Sequence, residues 1–328
     1  MKKYILVTYE PGAEEKEIYR EILENQEQIY YLKNESKSSR RRLLGAAEIV
    51  VALSFSQNEI RSEEIPLLQN TRFIQLIYAG ADKIPFEHIP DCIILAGNVG
   101  AFADPIAEHV LALTLALAKK LVSKNKLLQE GKFDRTGFNQ EIRGGICGIV
   151  GFGGNGRKIA GTMRAMGMQI YAVNRSGQTD VPVDFIGTVA DLRKVLLVSD
   201  VVVLAAPLTR ATRDMIGKKE LEWMKESAIL INVGRGEVVN QKALYEHLKS
   251  HPEFRAGIDT WWSEPAEPGP FKLEYPFFEL ANIIGSPHCA DHVPGAMSRA
   301  TRSALENVRS FLLGQKLRGV LNRTDYLP

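Results

Sequence analysis

The sequence contains few cysteines, almost no net charge and no long apolar stretch. Its three cysteines among 328 residues, Cys92, Cys147 and Cys289, are far apart and include no CxxC pair. An odd, scattered set of this kind builds neither a disulfide framework nor a zinc site, which favours a reducing compartment. The formal net charge is only +2, from 41 Lys and Arg against 39 Asp and Glu, whereas a nucleic-acid-binding protein should carry a clear basic excess.

The longest apolar stretch, residues 110–118, is interrupted by Thr114, and a helix that spans a bilayer needs about 20 such residues. The apolar run that follows Lys3 is too short for a secretory signal. We therefore expect a cytoplasmic location without a membrane partner. With 45% hydrophobic and 24% charged residues, the composition is that of an ordinary globular protein, and the length fits roughly two domains.

Short apolar runs alternate with a helical pattern along the first hundred residues, which implies βαβ units and a parallel sheet. Strands are predicted at residues 4–9, 28–32, 48–53, 73–77 and 92–95, and a helix at residues 13–25. The basic segment 33–42 contains Arg40, Arg41 and Arg42, which could contact phosphate, but we predict a solvated surface turn.

A second set of alternating elements begins at residue 146. Continuous apolar runs predict strands buried on both faces at residues 146–150, 169–173, 201–205, 229–233 and 256–258. Before them, Asp104 as N-cap and Pro105 at the first helical position predict one long helix to about residue 130. A last helix begins at Pro294. The sequence therefore predicts an α/β protein with two lobes, joined near residues 97–104.

The hexapeptide Gly151-Phe152-Gly153-Gly154-Asn155-Gly156 directly follows a predicted strand and opens a predicted helix. In such a loop the glycines allow a tight turn, approach of a diphosphate to the backbone and close packing of helix on strand. The helix N-terminus adds free N–H groups and positive potential. A GxGxxG pattern alone is weak evidence, but the strand–loop–helix setting predicts a dinucleotide site.

The end of the next strand bears on the choice of dinucleotide. An acidic residue about 20 residues past the loop usually binds the ribose 2′-hydroxyl of NAD, but this sequence has Asn174, Arg175 and Ser176. Asn174 removes a charge that would repel a 2′-phosphate, and Arg175 can pair with that phosphate. We therefore predict a preference for NADP, with NAD as the alternative cofactor. The competing interpretation of Arg175 is an ordinary surface arginine.

Three further polar segments follow predicted strands of the same lobe. Arg235 lies in the segment NVGRG, Asp259 is followed five residues later by Glu264, and His288 lies in the segment SPHCA. Ligands of open α/β sheets bind at the carboxyl ends of the strands, so these side chains could converge. Arginine can bind a carboxylate through two hydrogen bonds, and histidine can donate a proton near neutral pH. Each residue alone is more commonly structural.

Taken in order along the chain, these motifs resemble the D-2-hydroxyacid dehydrogenase family, in particular its glyoxylate and hydroxypyruvate reductases. The resemblance covers essentially the whole chain and is strongest from residue 76 onward. It implies two doubly wound parallel-sheet lobes, namely a flavodoxin-like substrate domain of residues 1–98 plus 294–328 and a Rossmann cofactor domain of residues 99–293. It also implies a homodimer, and hydride transfer between a nicotinamide dinucleotide and a small 2-oxo or 2-hydroxy acid. Asn174 and Arg175 depart from the acidic residue that many members have at this place, and for this reason we expect NADP(H).

The resemblance assigns roles to individual residues. It implies that Arg235 binds and activates the substrate, that His288 is the acid/base catalyst, and that Glu264 orients His288. The N–H groups of Ala79 and Gly80 are implied to bind the substrate carboxylate.

The resemblance also implies a cofactor site in which Asp259 holds the nicotinamide carboxamide. Together with the glycine loop and residues 174–176, the full set of expected cofactor contacts is Gly151, Gly153, Gly154, Asn155, Gly156, Asn174, Arg175, Ser176, Pro207, Thr212, Val233, Gly234, Arg235, Asp259, His288 and Ala290.

Two other functions stay open. A formate dehydrogenase of this fold would pair the histidine with a glutamine, so Glu264 argues against that activity. A dinucleotide-sensing binding protein, such as the corepressors that share the fold, retains Arg235, Glu264 and His288. Activity with 2-oxo acids separates an enzyme from such a binding protein.

Some features allow a structural and a functional interpretation. His247 and His251 are four residues apart, but no third ligand is apparent and we expect no metal. The apolar face of the helix after Pro105 could be a dimer surface or part of the core. Trp261 and Trp262 could form the wall of a small substrate pocket or simply fill the core.

Overall fold

The structure of the protein, a computed structural model, describes residues 3–23, 27–265 and 269–327. The strands of this part are β1 (Lys3–Val7), β2 (Glu27–Tyr31), β3 (Ile49–Ala52), β4 (Phe73–Leu76), β5 (Ile94–Ala96), β6 (Ile146–Val150), β7 (Gln169–Val173), β8 (Phe185–Gly187), β9 (Val201–Leu204), β10 (Ile229–Asn232), β11 (Arg255–Ile258) and β12 (Ile283–Gly285). The helices are α1 (Ala13–Ile22), α2 (Lys37–Ala46), α3 (Ala103–Ala118), α4 (Leu121–Gln129), α5 (Gly154–Ala165), α6 (Leu192–Val198), α7 (Lys218–Glu222), α8 (Gln241–Ser250) and α9 (Ala296–Leu312).

The chain divides into two compact units, each with its own parallel sheet. Unit 1 comprises Met1–Phe102 and Val293–Pro328, and unit 2 comprises Ala103–His292. The strand order is β2-β1-β3-β4-β5 in unit 1 and β12-β11-β10-β9-β6-β7-β8 in unit 2. Two α/β lobes with parallel sheets confirm the predicted fold class.

The central strands of unit 2 are apolar on both sides. Val201, Val202, Val203 and Leu204 of β9 are all fully buried. Val202 and Leu204 belong to one apolar cluster, and Val201 and Val203 to another. Because alternate side chains of a strand point to opposite faces, both faces of this sheet are covered. That burial explains why the strands are continuous apolar runs.

The register of unit 2 brings the ends of four strands to one edge. Val150 at the end of β6 lies opposite Leu204 of β9, which lies opposite Asn232 of β10, which in turn lies opposite Ile258 of β11. The residues that follow these four positions are therefore neighbours. The sheet order reverses between β6 and β9, which is where doubly wound folds bind their ligands.

The single long helix predicted after Asp104 is wrong, because the segment forms two helices, α3 and α4. Lys120 between them has a φ of +51° in the left-handed region. The backbone N–H of Gln140 donates to the carbonyl of Ala118 at 2.9 Å, and Arg255 Nη1 donates to the carbonyl of Leu117 at 3.2 Å. These donors satisfy carbonyls that a helix terminus leaves without partners. The helix can therefore end inside a sequence of good helix formers.

The apolar face of α3 is core rather than free surface. Val110 and Leu113 are buried in the core of unit 2. In contrast, α4 has no buried residue, and Leu121 and Leu128 are each more than half exposed. No helix among the described residues has the length and apolar character that crossing a membrane requires.

The turn predicted for residues 33–42 is also wrong in its second half, which belongs to α2, although most of the segment, including Arg41 and Arg42, is exposed as predicted. The Ser36 side chain caps this helix by accepting the N–H of Ser39. Arg40 is not solvated: its guanidinium donates to both carboxylate oxygens of Glu64, at 2.7 and 2.6 Å, and to the carbonyl of Glu59. The prediction failed because the charge of Arg40 is neutralised by a carboxylate 24 residues away.

The adjacent tryptophans fill the core of unit 2. Trp261 is 5% exposed, and its indole N–H donates to the carbonyl of Ser286 at 2.8 Å. The indole N–H of Trp262 donates to the carbonyl of Val239 at 2.6 Å, and its ring stacks on Phe277. Of the two interpretations, core packing accounts for both side chains.

Candidate active site

The glycine loop between β6 and α5 has the geometry that a dinucleotide requires. Gly151 has a φ of +96°, and a Cβ there would lie 2.4 Å from the backbone nitrogen of Ala206. A Cβ on Gly156 would lie 2.3 Å from the carbonyl oxygen of Gly151. No described atom lies within 4 Å of the Cβ position of Gly153. The loop is therefore tightly packed at Gly151 and Gly156 and open at Gly153, which fits a diphosphate at the N-terminus of α5.

Asp259 organises the turn that carries the candidate acid/base. This residue follows β11 and is 1% exposed. Its backbone carbonyl accepts the N–H of His288 at 2.8 Å. Its Oδ1 accepts the N–H of Cys289 at 3.1 Å and the hydroxyl of Ser286 at 2.6 Å, while Oδ2 accepts the N–H of Ala290 at 3.2 Å. One buried carboxylate thus fixes the backbone of residues 288–290.

The turn holds His288 in an unusual conformation. Its φ is +50°, in the left-handed region that most side chains disfavour. Such strain persists where surrounding contacts over-determine it, and it clusters at functional sites. The contacts in this case are the hydrogen bonds to Asp259.

His288 and Glu264 form a hydrogen-bonded pair. His288 Nδ1 lies 2.8 Å from Glu264 Oε2, and the His288 side chain is 41% exposed. The other oxygen, Oε1, accepts the backbone N–H of Trp261 at 2.8 Å. Because both oxygens of Glu264 are held, its orientation toward the ring is fixed. Nδ1 faces the carboxylate, so Nε2 is the ring nitrogen available for proton transfer.

The pair keeps a proton on the imidazole. The hydrogen bond to Glu264 raises the pKa of His288 above its ordinary value, against burial and the charge of Arg235. Burial acts to raise the pKa of Glu264, but the hydrogen bonds from His288 and Trp261 and the charges of His288 and Arg235 outweigh it, so this pKa is lowered. The ionised carboxylate therefore stabilises a protonated His288 close to neutral pH.

Arg235 lies in a loop that is fixed from within the sheet. Asn232, at the end of β10, is fully buried; its side chain accepts the N–H of Gly234 at 3.1 Å and donates to the carbonyl of Arg235 at 2.9 Å. A Cβ on Gly236 would lie 2.3 Å from the carbonyl carbon of Trp261. The half-buried Arg235 is close enough to influence both Glu264 and His288 electrostatically.

The predicted ribose-binding residues form a polar loop after β7. Asn174 is held by its own loop: its Nδ2 donates to the carbonyl of Gln178 at 2.8 Å, and its Oδ1 accepts the N–H of Gly177 at 2.7 Å. Arg175 and Ser176 are exposed. The loop is therefore a rigid turn with an arginine on its surface.

The predicted loop beside the cofactor follows β9. The hydroxyl of Thr212 donates to the carbonyl of Pro207 at 2.6 Å and accepts the N–H of Thr209 at 2.8 Å. Thr212 therefore closes this loop.

Ala79 and Gly80 belong to unit 1, where they follow β4. A Cβ on Gly97, which follows β5, would lie 2.9 Å from the carbonyl oxygen of Ala79. The backbone N–H of Asn98 donates to the carbonyl of Tyr78 at 3.2 Å. The predicted substrate loop thus lies at the carboxyl end of the sheet of unit 1, and its role stays a prediction.

Unit 2 brings Asp259, Glu264, His288 and Ala290 together by direct contacts. Asn232 and Ser286 lie in the motifs NVGRG and SPHCA, but these motifs predicted no role for them. His109 was not singled out at all, although its Nε2 lies 2.8 Å from Ser286 Oγ. The position of His109, directly before the apolar residues 110–113 of α3, gives little indication of such a contact. In residues 3–23, 27–265 and 269–327, no three His, Cys, Asp or Glu side chains are grouped to hold a metal ion.

Comparison with known proteins identifies the family. Residues 111–290 match the model of the NAD binding domain of D-isomer specific 2-hydroxyacid dehydrogenases. A glyoxylate reductase from Korarchaeum cryptofilum is 30% identical over 290 residues, which cover 86% of each chain. The chain therefore belongs to the D-isomer specific 2-hydroxyacid dehydrogenase family, which confirms the resemblance read from its motifs.

Other relatives differ in length and in the activity of their names. A D-3-phosphoglycerate dehydrogenase from Archaeoglobus fulgidus is 29% identical over 279 residues, 83% of this chain, and the match spans about half of that relative, 51%. A crystal structure from Pyrobaculum aerophilum, described provisionally as a formate dehydrogenase, has a TM-score of 0.83 and 26% identity over the full length of both chains. One fold thus accompanies several activities, and the substrate has to be argued from the site.

Proposed function

We propose that this protein is a cytoplasmic reductase that uses NADPH to convert a small 2-oxo acid, such as glyoxylate or hydroxypyruvate, into the D-2-hydroxy acid. The observation that carries the proposal is the 2.8 Å pair of His288 and Glu264, in the unit that also contains the glycine loop. A fixed carboxylate beside an imidazole is the arrangement that general acid catalysis requires. The three free cysteines fit the reducing compartment.

The residues of unit 2 divide the work of the reaction. The Arg235 guanidinium binds the substrate carboxylate and polarises the ketone through its paired N–H donors. A reduced nicotinamide, when bound, supplies hydride to the ketone carbon. His288 gives the proton at Nε2 to the ketone oxygen as that oxygen gains charge, and Glu264 stabilises the cation beforehand. In the reverse direction His288 accepts the proton, so the same pair serves oxidation.

The two units take different roles in this proposal. Unit 2 is the dinucleotide domain: the glycine loop binds the diphosphate at the N-terminus of α5, and Asp259 accepts from the nicotinamide carboxamide. Unit 1 is the substrate domain, where the N–H groups of Ala79 and Gly80 bind the substrate carboxylate as in the family. Residues 207–212 and 233–234 complete the dinucleotide site.

The preference for NADPH rests on the loop after β7. Asn174 is neutral, and the exposed Arg175 offers a charge-assisted hydrogen bond to a 2′-phosphate. A carboxylate is also present, since Asp180 pairs with Arg157 at 2.5 Å. This pairing neutralises the acid and keeps it from repelling the phosphate. The net effect favours the phosphorylated dinucleotide.

We further propose a homodimer built on α4 and the loop that follows it. Leu121, Val122 and Leu128 of α4 are each more than half exposed, as are Phe133, at 78%, and Phe138, at 96%. Five large apolar side chains in 18 residues of surface are a docking patch rather than scattered exposure. A second copy of the chain would cover them.

Steady-state turnover tests the proposed function. Glyoxylate, hydroxypyruvate and pyruvate are assayed with NADPH and with NADH, and the configuration of each product is determined. We expect D-products, with the highest kcat/KM for a small acid and NADPH. Formate is included as a substrate with NADP⁺ and NAD⁺, because the crystal structure described above carries that name.

Two results would overturn the proposal. Tight dinucleotide binding without turnover of any 2-oxo acid would favour a sensing protein. Oxidation of formate at a higher kcat/KM than the reduction of any 2-oxo acid would reassign the reaction. Glu264 argues against the second outcome, since it keeps His288 protonated and hydride abstraction from formate needs no proton donor.

A further inference from the structure

A histidine outside the proposed catalytic pair is linked to Asp259 through one hydroxyl. His109 in α3 approaches Ser286, with 2.8 Å between Nε2 and Oγ. The hydroxyl of Ser286 in turn donates to Asp259 Oδ1 at 2.6 Å. His109 Nε2 lies 3.5 Å from the same oxygen, and the His109 side chain is 23% exposed. His109, Ser286 and Asp259 are thus linked in series, from helix α3 to the carboxylate of Asp259.

The direction of these hydrogen bonds follows from counting protons. A serine hydroxyl has one proton, and Ser286 donates it to the buried Asp259 Oδ1 in the 2.6 Å contact. Ser286 Oγ can then only accept from His109. The imidazole therefore carries a proton on Nε2, and the order is His109 Nε2–H to Ser286 Oγ–H to Asp259 Oδ1.

The same count shows what remains of Asp259. A carboxylate has about four acceptor positions, two on each oxygen. Ser286 and Cys289 fill those of Oδ1, whereas Ala290 N–H takes one of Oδ2. Among the described residues no further donor to Oδ2 occurs, so one acceptor position is left on that oxygen.

Close packing of α3 on β11 brings His109 near Asp259. A Cβ on Gly257 of β11 would lie 2.8 Å from Ile231 Cδ1 and 3.3 Å from Leu113 Cβ. The missing side chain lets α3 approach β11 two residues before Asp259. Val110 and Leu113 are buried at this contact, so the helix that carries His109 is fixed against the sheet.

We propose that His109 is a positioning residue for the nicotinamide: its Nε2–H holds the Ser286 hydroxyl on Asp259 Oδ1, which leaves Oδ2 as the acceptor for the carboxamide NH₂ of the dinucleotide. The proposal rests on the proposed dinucleotide role of Asp259. Without the histidine, the Ser286 hydroxyl is free to rotate away, and Asp259 loses a donor that fixes its plane. The carboxamide would then be bound with less orientation.

The test compares dinucleotide binding by purified full-length variants. His109→Leu removes the N–H donor, while His109→Gln keeps an amide N–H near the position of Nε2. His292→Leu is the matched control. His292 is an exposed histidine near Asp291, and neither residue takes part in the hydrogen bonds that link His109, Ser286 and Asp259. Kd is measured by fluorescence for NADPH and by calorimetry for 2′-phospho-ADP-ribose, which lacks the nicotinamide.

We expect His109→Leu to weaken NADPH binding about tenfold, the loss of one hydrogen bond to a charged group. Binding of 2′-phospho-ADP-ribose should change less than twofold, and His109→Gln should restore most of the affinity for NADPH. For the 3-acetylpyridine analogue of NADP⁺, which has no NH₂ group, His109→Leu and the unmodified protein should bind alike.

Ser286→Ala supplies an independent variant if His109→Leu folds poorly, as judged by its thermal midpoint. It should give the same pattern, and the double variant should be no weaker than either single one, because both act through one chain of hydrogen bonds. Equal losses for NADPH and 2′-phospho-ADP-ribose, or no rescue by His109→Gln, would overturn the proposal.

These measurements need no 2-oxo acid. A protein that binds NADPH as expected but reduces no substrate would refute the proposed reaction and leave the role of His109 standing. A protein that turns over glyoxylate but binds NADPH and its 3-acetylpyridine analogue with the same His109 dependence would do the reverse.

Discussion

Two ends of the dinucleotide site in unit 2 differ in how they are built. The catalytic edge, residues 232–236, 259–264 and 286–290, is held by a buried carboxylate and a buried amide. Asp259 and Asn232 are 1% and 0% exposed, and each bonds to several backbone groups. The ribose loop, residues 174–178, is held mainly by Asn174, and Arg175 and Ser176 are exposed.

The difference follows from what each end has to do. In the proposed reaction proton transfer tolerates little misplacement, which fits an edge pre-organised by interactions that lie out of water and are hard to replace. The proposed selection of NADPH over NADH needs only one charge near a phosphate, and a surface arginine would be sufficient for it. We therefore expect large effects on kcat at the catalytic edge and smaller effects on KM at the ribose loop.

The largest effect should come from His288→Ala. Loss of the general acid should lower kcat by roughly 10²–10⁴, while Kd for NADPH stays within a few-fold. Stopped-flow and steady-state rates with glyoxylate measure kcat, and fluorescence titration measures Kd for NADPH. His292→Ala serves as control because that side chain is exposed and bonded to Asp291. A near-normal kcat for His288→Ala would remove this residue from the mechanism.

At the ribose loop, the preference for NADPH should be roughly 10- to 150-fold in kcat/KM, the value of a charge-assisted hydrogen bond of about 1.5–3 kcal/mol. The double change Asn174→Asp with Arg175→Ala should reverse it, mainly through KM. The gap in the unmodified protein should shrink with added salt, because the site is at the surface. Arg193→Ala, which removes an exposed charge of unit 2 beside Trp223, controls for net charge.

Equal efficiency with both dinucleotides in the unmodified protein would contradict the NADP preference. It would mean that Arg175 contributes only to its present surroundings. That result would leave the predictions for the catalytic edge unchanged, because they do not depend on Arg175.

Glu264→Gln probes the catalytic edge by pH. For reduction His288 must be protonated, so kcat/KM falls as pH rises through its pKa. Glu264 raises that pKa, and its neutral amide replacement should lower it. The alkaline limb of the pH profile should therefore move to lower pH, with a smaller loss at acid pH than in His288→Ala. Glu237→Gln, a change at a half-buried acid 4.0 Å from Arg213, should leave the limb in place.

The catalytic edge was more predictable from sequence than the parts that support it. Arg235, Glu264 and His288 stand after apolar runs, and parallel strands bring such positions to one edge, so their meeting in unit 2 follows from the strand pattern. The contact of His288 with Glu264 needed the turn at Asp259, whose three backbone partners no spacing indicates. The contact between His288 and Glu264 is observed, and its role in proton transfer is proposed.

Errors occurred where distant residues decide local structure. The helix break at Lys120 depends on Arg255 and Gln140. These residues donate hydrogen bonds to the carbonyls of Leu117 and Ala118 at the end of α3. The helix around Arg40 depends on Glu64 in another segment. His109 was missed for the same reason, because its partner Ser286 is 177 residues away. Local propensity contains none of these contacts.

The smallest effect, and the sharpest comparison, comes from two asparagines with matched hydrogen bonds. Asn232 and Asn174 each accept one backbone N–H, from Gly234 and Gly177, and each donate to one backbone carbonyl. They differ in burial, since Asn232 is fully buried and Asn174 is half-buried in a surface loop. Asn174 also accepts the hydroxyl of Ser176 at 3.3 Å, so substitution by alanine compares the same two backbone hydrogen bonds in a buried and in a half-buried setting.

Asn232→Ala should cost about 2 kcal/mol of unfolding free energy, because it leaves the buried N–H of Gly234 without a partner. Asn174→Ala should cost about 1 kcal/mol or less, since water replaces both bonds. Denaturant unfolding of the full chain, followed by the tryptophans of unit 2, measures both. Asn232→Ala should also raise KM for the 2-oxo acid, because the loop that carries Arg235 loses both side-chain hydrogen bonds of Asn232, whereas Asn174→Ala should alter only KM for the dinucleotide. Equal losses of stability would show that pre-organisation at the catalytic edge does not depend on burial, and the proposed contrast between the two ends would be wrong.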